Sequence, residues 1–110
     1  MERLVRGDIV VIEFPFSDLV HYKKRPALVL KVPKGDDILT CQITGSSFEK
    51  EVEIPINLED FKQGSLKRQS FARLDKIFSI EKTMIKYKAC SLKPEKFKEI
   101  LDKLCVYLRE

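Results

Sequence analysis

The sequence predicts a mainly β fold, a small and strongly bent antiparallel sheet or barrel with one C-terminal helix packed on it. Short runs rich in Val, Ile, Thr and Phe recur between turn signals as far as Cys90. After Pro94 the period changes: Phe97, Ile100, Leu101, Leu104, Cys105 and Leu108 recur at three- and four-residue steps, one face of a helix. A single apolar helical stripe needs a sheet face to cover it, which joins the two halves of the pattern into one fold.

Gly7-Asp8 followed by Ile9 to Phe14 reads as a first strand, ended by Pro15 and the polar Ser17-Asp18. Pro26 opens a second run, Ala27 to Val32, and Pro33-Lys34-Gly35-Asp36 is a turn signal. Ile38 to Thr44 is a third run, closed by Gly45-Ser46-Ser47. Glu51 to Ile56 alternates with period two and reads as a short edge strand, because Pro55 cannot donate to a ladder. Residues 57–69 are irregular, with one helical turn near Glu59–Phe61. Ser70 to Phe78 and Thr83 to Cys90 are two further strands, separated by Ser79–Lys82. Pro94 suits a first helical turn, and Glu95 complements the positive end of the helix dipole.

The 110 residues have room for one domain with a modest core, and the expected unit is 1–110. With 44% hydrophobic and 35% charged residues the chain is an ordinary globular sequence, not a disordered one. The net charge of +4 is unevenly spread. Residues 1–60 hold 8 Lys/Arg against 11 Asp/Glu, a net of −3, and residues 61–110 hold 13 against 6, a net of +7. Such a basic half suits a polyanion such as nucleic acid, or is a solvated Lys-rich surface. Cys41, Cys90 and Cys105 are odd in number, widely spaced and in apolar contexts, so they read as reduced core thiols of a cytoplasmic protein. No CxxC pair exists and one His is too few for most zinc sites, so no metal or other cofactor is expected. The N-terminus lacks a signal-peptide apolar region, and the longest apolar runs are four residues, too short for a membrane span.

Chemistry gathers in two places. In FARLDKI, residues 71–77, strand alternation turns Ala72 and Leu74 to the core and leaves Arg73 and Asp75 together on the other face. Taken alone, that pair is equally a surface ion pair. In HYKKRP, residues 21–26, Arg25 stands against a rigid Pro, with Lys23 and Lys24 supplying steering charge or plain solubility. Thr44 lies where a strand runs into Gly-Ser-Ser, a turn whose hydroxyls and N–H groups, at Ser46 and Ser47, can cradle an oxyanion. Two guanidiniums, one carboxylate, a hydroxyl-rich turn and the single imidazole, His21, suit a phosphodiester. They do not suit a two-metal nuclease, which needs clustered carboxylates. Among the aromatics, Phe16, Tyr22 and Phe48 lie in loops and can stack on unpaired bases.

RGDIVVIEFPF, KKRPALVL, ILTCQIT with EVEI, and SFARLDKIFSIEK, in this order and at these spacings, resemble the MazF/PemK (Kid-like) toxin family. The resemblance runs from about Arg6 to the C-terminal helix. It implies an SH3-like β-barrel with a C-terminal helix, usually a homodimer, that cleaves single-stranded RNA without metal and is restrained by a cognate antitoxin. Residue by residue, Arg25 matches the family's loop arginine, Thr44 its strand-end threonine, and Arg73 and Asp75 the catalytic arginine and aspartate of the Kid-like branch. His21 falls in the loop that carries a helping histidine there. Many members carry Gln after the acidic position and Arg-Thr two residues later; Lys76 and Phe78-Ser79 stand here instead, so Lys76 is expected to touch RNA differently.

The expected reaction uses the substrate's own 2′-hydroxyl as nucleophile, Asp75 as general base, and Arg25, Arg73 and Thr44 against charge growing on the phosphorane. His21 or a water supplies the leaving-group proton. The runner-up reading is a non-catalytic toxin of this fold that poisons a protein such as gyrase, or an RNA-binding barrel; neither has a need for Arg73 with Asp75.

Overall fold

The computed structural model describes residues 3–15, 22–47 and 49–110, with the backbone alone at 14, 15, 22 and 23. Seven strands are followed by one helix: β1 Asp8–Pro15, β2 Tyr22–Lys31, β3 Asp37–Thr44, β4 Glu53–Ile56, β5 Phe61–Gln63, β6 Ser70–Glu81, β7 Ile85–Leu92 and α1 Pro94–Arg109. They form one sheet in the order β4-β6-β3-β2-β1-β7-β5, with every neighbouring pair antiparallel.

Chain length shows that this sheet is rolled. β6 and β7 stand four strands apart, ~19 Å in a flat sheet. Yet a three-residue turn, Lys82–Met84, joins them, and the step from Glu81 to Ile85 can span at most ~14 Å. β4 and β5 stand at the two ends of the sheet and are joined by residues 57–60 alone. The bent antiparallel sheet expected from the sequence is therefore the fold adopted.

Each face of the sheet covers its own core. On one face Ile9, Leu28, Cys41, Ile43, Ile54 and Ala72 pack with Ile100 and Leu104 of α1. On the other, Val10, Ile12, Ala27, Val29, Ile38 and Ile80 pack together, with Met84 from the β6–β7 turn. Burial on both faces explains why β1 and β2 read as continuous apolar runs and not as alternation. Pairing keeps the faces in register: Val10 stands opposite Ala27 and Ile9 opposite Leu28.

Four expectations need correcting. β2 begins at Tyr22, so Arg25 and Pro26 lie within the strand and not before it. Pro26 is tolerated there because β3 pairs with β2 only from Ala27 onward. β6 continues through Ser79 to Glu81, held by the Lys82 N–H on the Asp36 carbonyl at 2.8 Å, and β7 runs Ile85–Leu92. A short β5 follows the turn at Leu58–Asp60 inside the stretch read as irregular. It ends at Gly64, whose φ of +68° and 2.9 Å clearance from the Ala89 carbonyl leave no room for a side chain. Lastly, α1 buries Ile100 and Leu104 but leaves Cys105 and Leu108 exposed, so Cys41 and Cys90 are core thiols and Cys105 is not. A 16-residue helix lying on a curved sheet buries only a narrow stripe, Lys96, Ile100 and Leu104, and its last turn extends past the sheet's cover. Among the described residues no helix is long and apolar enough to cross a membrane.

Candidate active site

Arg73 and Asp75 meet as a fork. Nε of Arg73 donates to Oδ1 of Asp75 at 2.8 Å, and a terminal guanidinium nitrogen donates to Oδ2 at 2.7 Å. The two side chains are 12% and 27% exposed, so the pair is only partly wet. Two parallel N–H···O bonds fix both rotamers, as strand alternation allows. The guanidinium holds the Asp75 carboxyl below the usual carboxylate range, with Lys76 adding its charge, and the carboxylate in turn raises Arg73.

A bulge presents this pair. Cys41 of β3 stands opposite Ile77 of β6, but Ile43, two residues on, stands opposite Ala72, five residues back. β6 thus carries three extra residues across from Gln42, within Arg73–Lys76. An odd number of extra residues reverses the strand's phase. Ala72 and Leu74 belong to the helix-side core, whereas beyond the bulge Ile77 turns to that core and Phe78 and Ile80 to the other. The thiol of Cys41 donates to the Arg73 carbonyl at 2.9 Å, tying the bulge to β3. Burial pushes that thiol up to about 12.

Register brings the other two candidates to the same place. Ala27 of β2 pairs with Gln42 of β3, and two residues further on each strand stand Arg25 and Thr44. Arg25 is opposite Ile12, and Thr44 opposite Phe71, two residues from Arg73. Alternation therefore turns Arg25, Thr44 and Arg73 to the face away from α1, on the adjacent strands β2, β3 and β6, with backbones ~10 Å apart from first to last. Arg25 is half-buried. The Thr44 hydroxyl accepts from the Ser46 N–H at 3.3 Å and lies equally close to the Ser46 carbonyl, which closes the turn after β3. Ser47 donates to Oε1 of Glu53 at 2.7 Å.

The remaining candidates divide. Lys76 lies on the bulge, close enough for its charge to act on Asp75. Lys24 sits on β2 opposite Glu13, and alternation turns it to the other face from Arg25. His21, Phe16 and Phe48 lie outside the described residues, as do the side chains of Tyr22 and Lys23.

Two residues of this region, Glu53 and Gln42, were missed as parts of a site, while Arg68 reads in sequence as a cation that extends a groove or is solvated. Glu53 of β4 pairs across from Arg73 and is 5% exposed; its charge bears on Arg73 along with that of Glu49. In sequence it was one acidic position of an alternating edge strand, with nothing to link it to residue 73. Gln42 had no signal, since only the bulge sets it before Arg73–Lys76. Arg68 lies across Gly45, where an added Cβ would meet its Cδ at 3.2 Å, and so borders the Thr44 turn.

A mainly β roll closed by one C-terminal helix is a fold shared with solved endoribonuclease and toxin structures. A mycobacterial endoribonuclease solved in complex with its cognate antitoxin superposes with a TM-score of 0.75 at 14% identity, covering 96% of this chain and 95% of that one. The Mycobacterium tuberculosis toxin MazF-mt6 superposes with a TM-score of 0.72 at 16% identity, covering 93% and 96%. At these identities the likeness is one of fold. No curated protein matches the sequence. The family model of PemK-like, MazF-like toxins of type II toxin–antitoxin systems matches residues 5–108, and the chain belongs to that family.

Proposed function

We propose that this toxin is an endoribonuclease that cleaves single-stranded RNA without a metal ion, on the sheet face bearing Arg25, Thr44, Arg73 and Asp75. The observation that carries the reading is the Arg73–Asp75 fork displayed on the β6 bulge. In this reading the substrate's phosphate competes with Asp75 for the fork. Each N–H that Arg73 hands over frees an Asp75 oxygen and restores its basicity as substrate arrives. Asp75 then takes the 2′-hydroxyl proton, and the 2′-oxygen attacks phosphorus. The bond from phosphorus to the 5′-oxygen breaks, leaving a 2′,3′-cyclic phosphate and a 5′-hydroxyl.

Arg25 and Arg73 stabilise the phosphorane charge, with Thr44 ordering the turn beside it. A guanidinium of pKa above ~12 is a poor acid, so His21 or a water protonates the leaving oxygen. The same reading makes the protein a cytoplasmic homodimer restrained by a cognate antitoxin whose acidic, disordered segment folds over the basic face. The chain 1–110 acts as one catalytic unit.

The test is cleavage of single-stranded RNA in excess EDTA. Activity should persist there and disappear when every 2′-hydroxyl is 2′-O-methylated. Loss of activity with EDTA overturns the metal-free route. Growth arrest that survives Asp75→Ala would favour a protein-binding toxin over a nuclease.

A further inference from the structure

β4 begins where the β6 bulge begins. Its first residue, Glu53, stands directly across from Arg73, and Ile54 stands across from Ala72. Residues opposite each other in an antiparallel ladder share a face, with Cβ atoms ~5 Å apart. Ile54 and Ala72 lie in the helix-side core, so Glu53 and Arg73 together belong to the opposite face, the one that carries Arg25 and Thr44.

Glu53 is a buried carboxylate, 5% exposed. Its Oε1 accepts from the Ser47 hydroxyl at 2.7 Å, which also fastens the turn that follows Thr44. A neutral hydroxyl alone does not offset the cost of burying a charge; a nearby cation does. Arg73 is the cation across the ladder, and the charge of Glu53, with that of the exposed Glu49, acts on its guanidinium. Arg73 therefore stands between two carboxylates of different kinds. Asp75 has a side chain 27% exposed and sits on the bulge, two residues along the same strand. Glu53 is buried, tied to Ser47 and set in a ladder that continues to Ile56 and Ser70. A guanidinium has more N–H donors than the Asp75 fork uses, so it can serve both.

We propose that Glu53 is a positioning residue: it is the fixed counter-charge of Arg73, and Asp75 is the exchangeable one. When a substrate phosphate takes N–H groups from Asp75, Glu53 keeps the guanidinium in place on the bulge. It also keeps Arg73 from locking onto Asp75, because the guanidinium's charge is shared between two carboxylates. Glu53 touches no reacting atom in this scheme. The inference rests on the nuclease reading for its consequence in turnover, and on the β4–β6 ladder for the hold on Arg73.

Glu53→Gln keeps an acceptor for the Ser47 hydroxyl and removes the charge. It should lower kcat by about 10–10²-fold, the scale of a misplaced group. KM for RNA should stay level or fall, since a negative charge near the phosphate is lost. Glu53→Asp should recover part of the rate, and Ser47→Ala, which leaves the charge, should change kcat less than Glu53→Gln does. A second measurement needs no cleavage. In proton–nitrogen NMR the Arg73 Nε–H signal, identified by its loss in Arg73→Lys, should stay protected from exchange with water in Asp75→Ala. It should lose that protection in Glu53→Gln/Asp75→Ala. Loss of protection in Asp75→Ala alone overturns the proposal. So does a Glu53→Gln protein that cuts at the wild-type rate, or one whose lost rate follows a lowered melting temperature with no recovery in Glu53→Asp. Wild-type protein that cuts no RNA while the NMR result holds sinks the nuclease reading and leaves the hold of Glu53 on Arg73 standing.

Discussion

Asp75 gives both carboxylate oxygens to Arg73, which makes the two a single chemical unit in the resting protein. Asp75→Asn should lower single-turnover cleavage by about 10²–10⁴-fold, the range of a lost general base. It should cost about 1 kcal/mol or less in stability, since a partly exposed pair contributes little; comparing cleavage with a thermal melt separates the two. The pH dependence follows from the sign of the shift. The folded-state pKa of Asp75 is depressed, so the pair's stabilisation is present above the unfolded carboxylate value and is lost as pH falls through the folded one. The acid limb of kcat/KM should accordingly lie below the ordinary carboxylate range; a limb near ~6.5 would assign the base to His21 instead. Cys41 and Cys90 carry the opposite sign: burial pushes them to about 12 and about 11, so their contribution holds below the unfolded value of 9.0 and is lost as pH rises toward 11. A thiol reagent at neutral pH should find one fast cysteine, Cys105, in the native protein and all three after unfolding.

At the scale of elements, β6 does two jobs. Its first part lays Ala72 and Leu74 on the helix-side core and its last part lays Ile80 on the other, with Arg73 and Asp75 displayed on the bulge. Cys41→Val keeps a buried apolar group but removes the bond to the Arg73 carbonyl. It should reduce kcat several-fold with KM and melting temperature little changed, while Cys41→Ser, which retains a donor, should recover part of the rate. Leu104→Ala probes α1 and should behave in the reverse way, losing about 2–5 kcal/mol in denaturant unfolding with turnover intact while folded. The pairing of residues 73 and 75 was legible because it needs only strand alternation. The bulge was not, because it exists only relative to β3, and FARLDKIFSI carries no Gly to mark it. Glu53 was hidden for the same reason, as its meaning depends on standing across from Arg73.

For the whole molecule, part of the positive charge of residues 61–110, a net of +7, gathers at two surfaces. Arg68, Arg73 and Lys76 lie near the candidate active site, whereas Lys62, Lys88 and Lys98, with Arg6, line a cleft beside α1. If the first surface holds RNA, the slope of log affinity against log salt should be about −0.7 for each phosphate contacted. Arg25→Ala should reduce that slope by about one contact, and Arg6→Glu/Lys62→Glu should leave it unchanged. Filter binding of 2′-O-methylated RNA across a salt series reads this directly.

By itself the sequence determined the mainly β class, the C-terminal helix, most strand centres and the pairing of Arg73 with Asp75 on one face. Those follow from local periodicity, turn residues and side-chain chemistry, all of which act over a few residues. Only the tertiary structure decided that β2 carries Arg25 inside its ladder, that β6 bulges at Arg73, that Glu53 faces that arginine, and that Cys105 is left outside the core. Each of these is a relation between strands or layers distant in sequence, set by pairing register and by how the rolled sheet fits under α1.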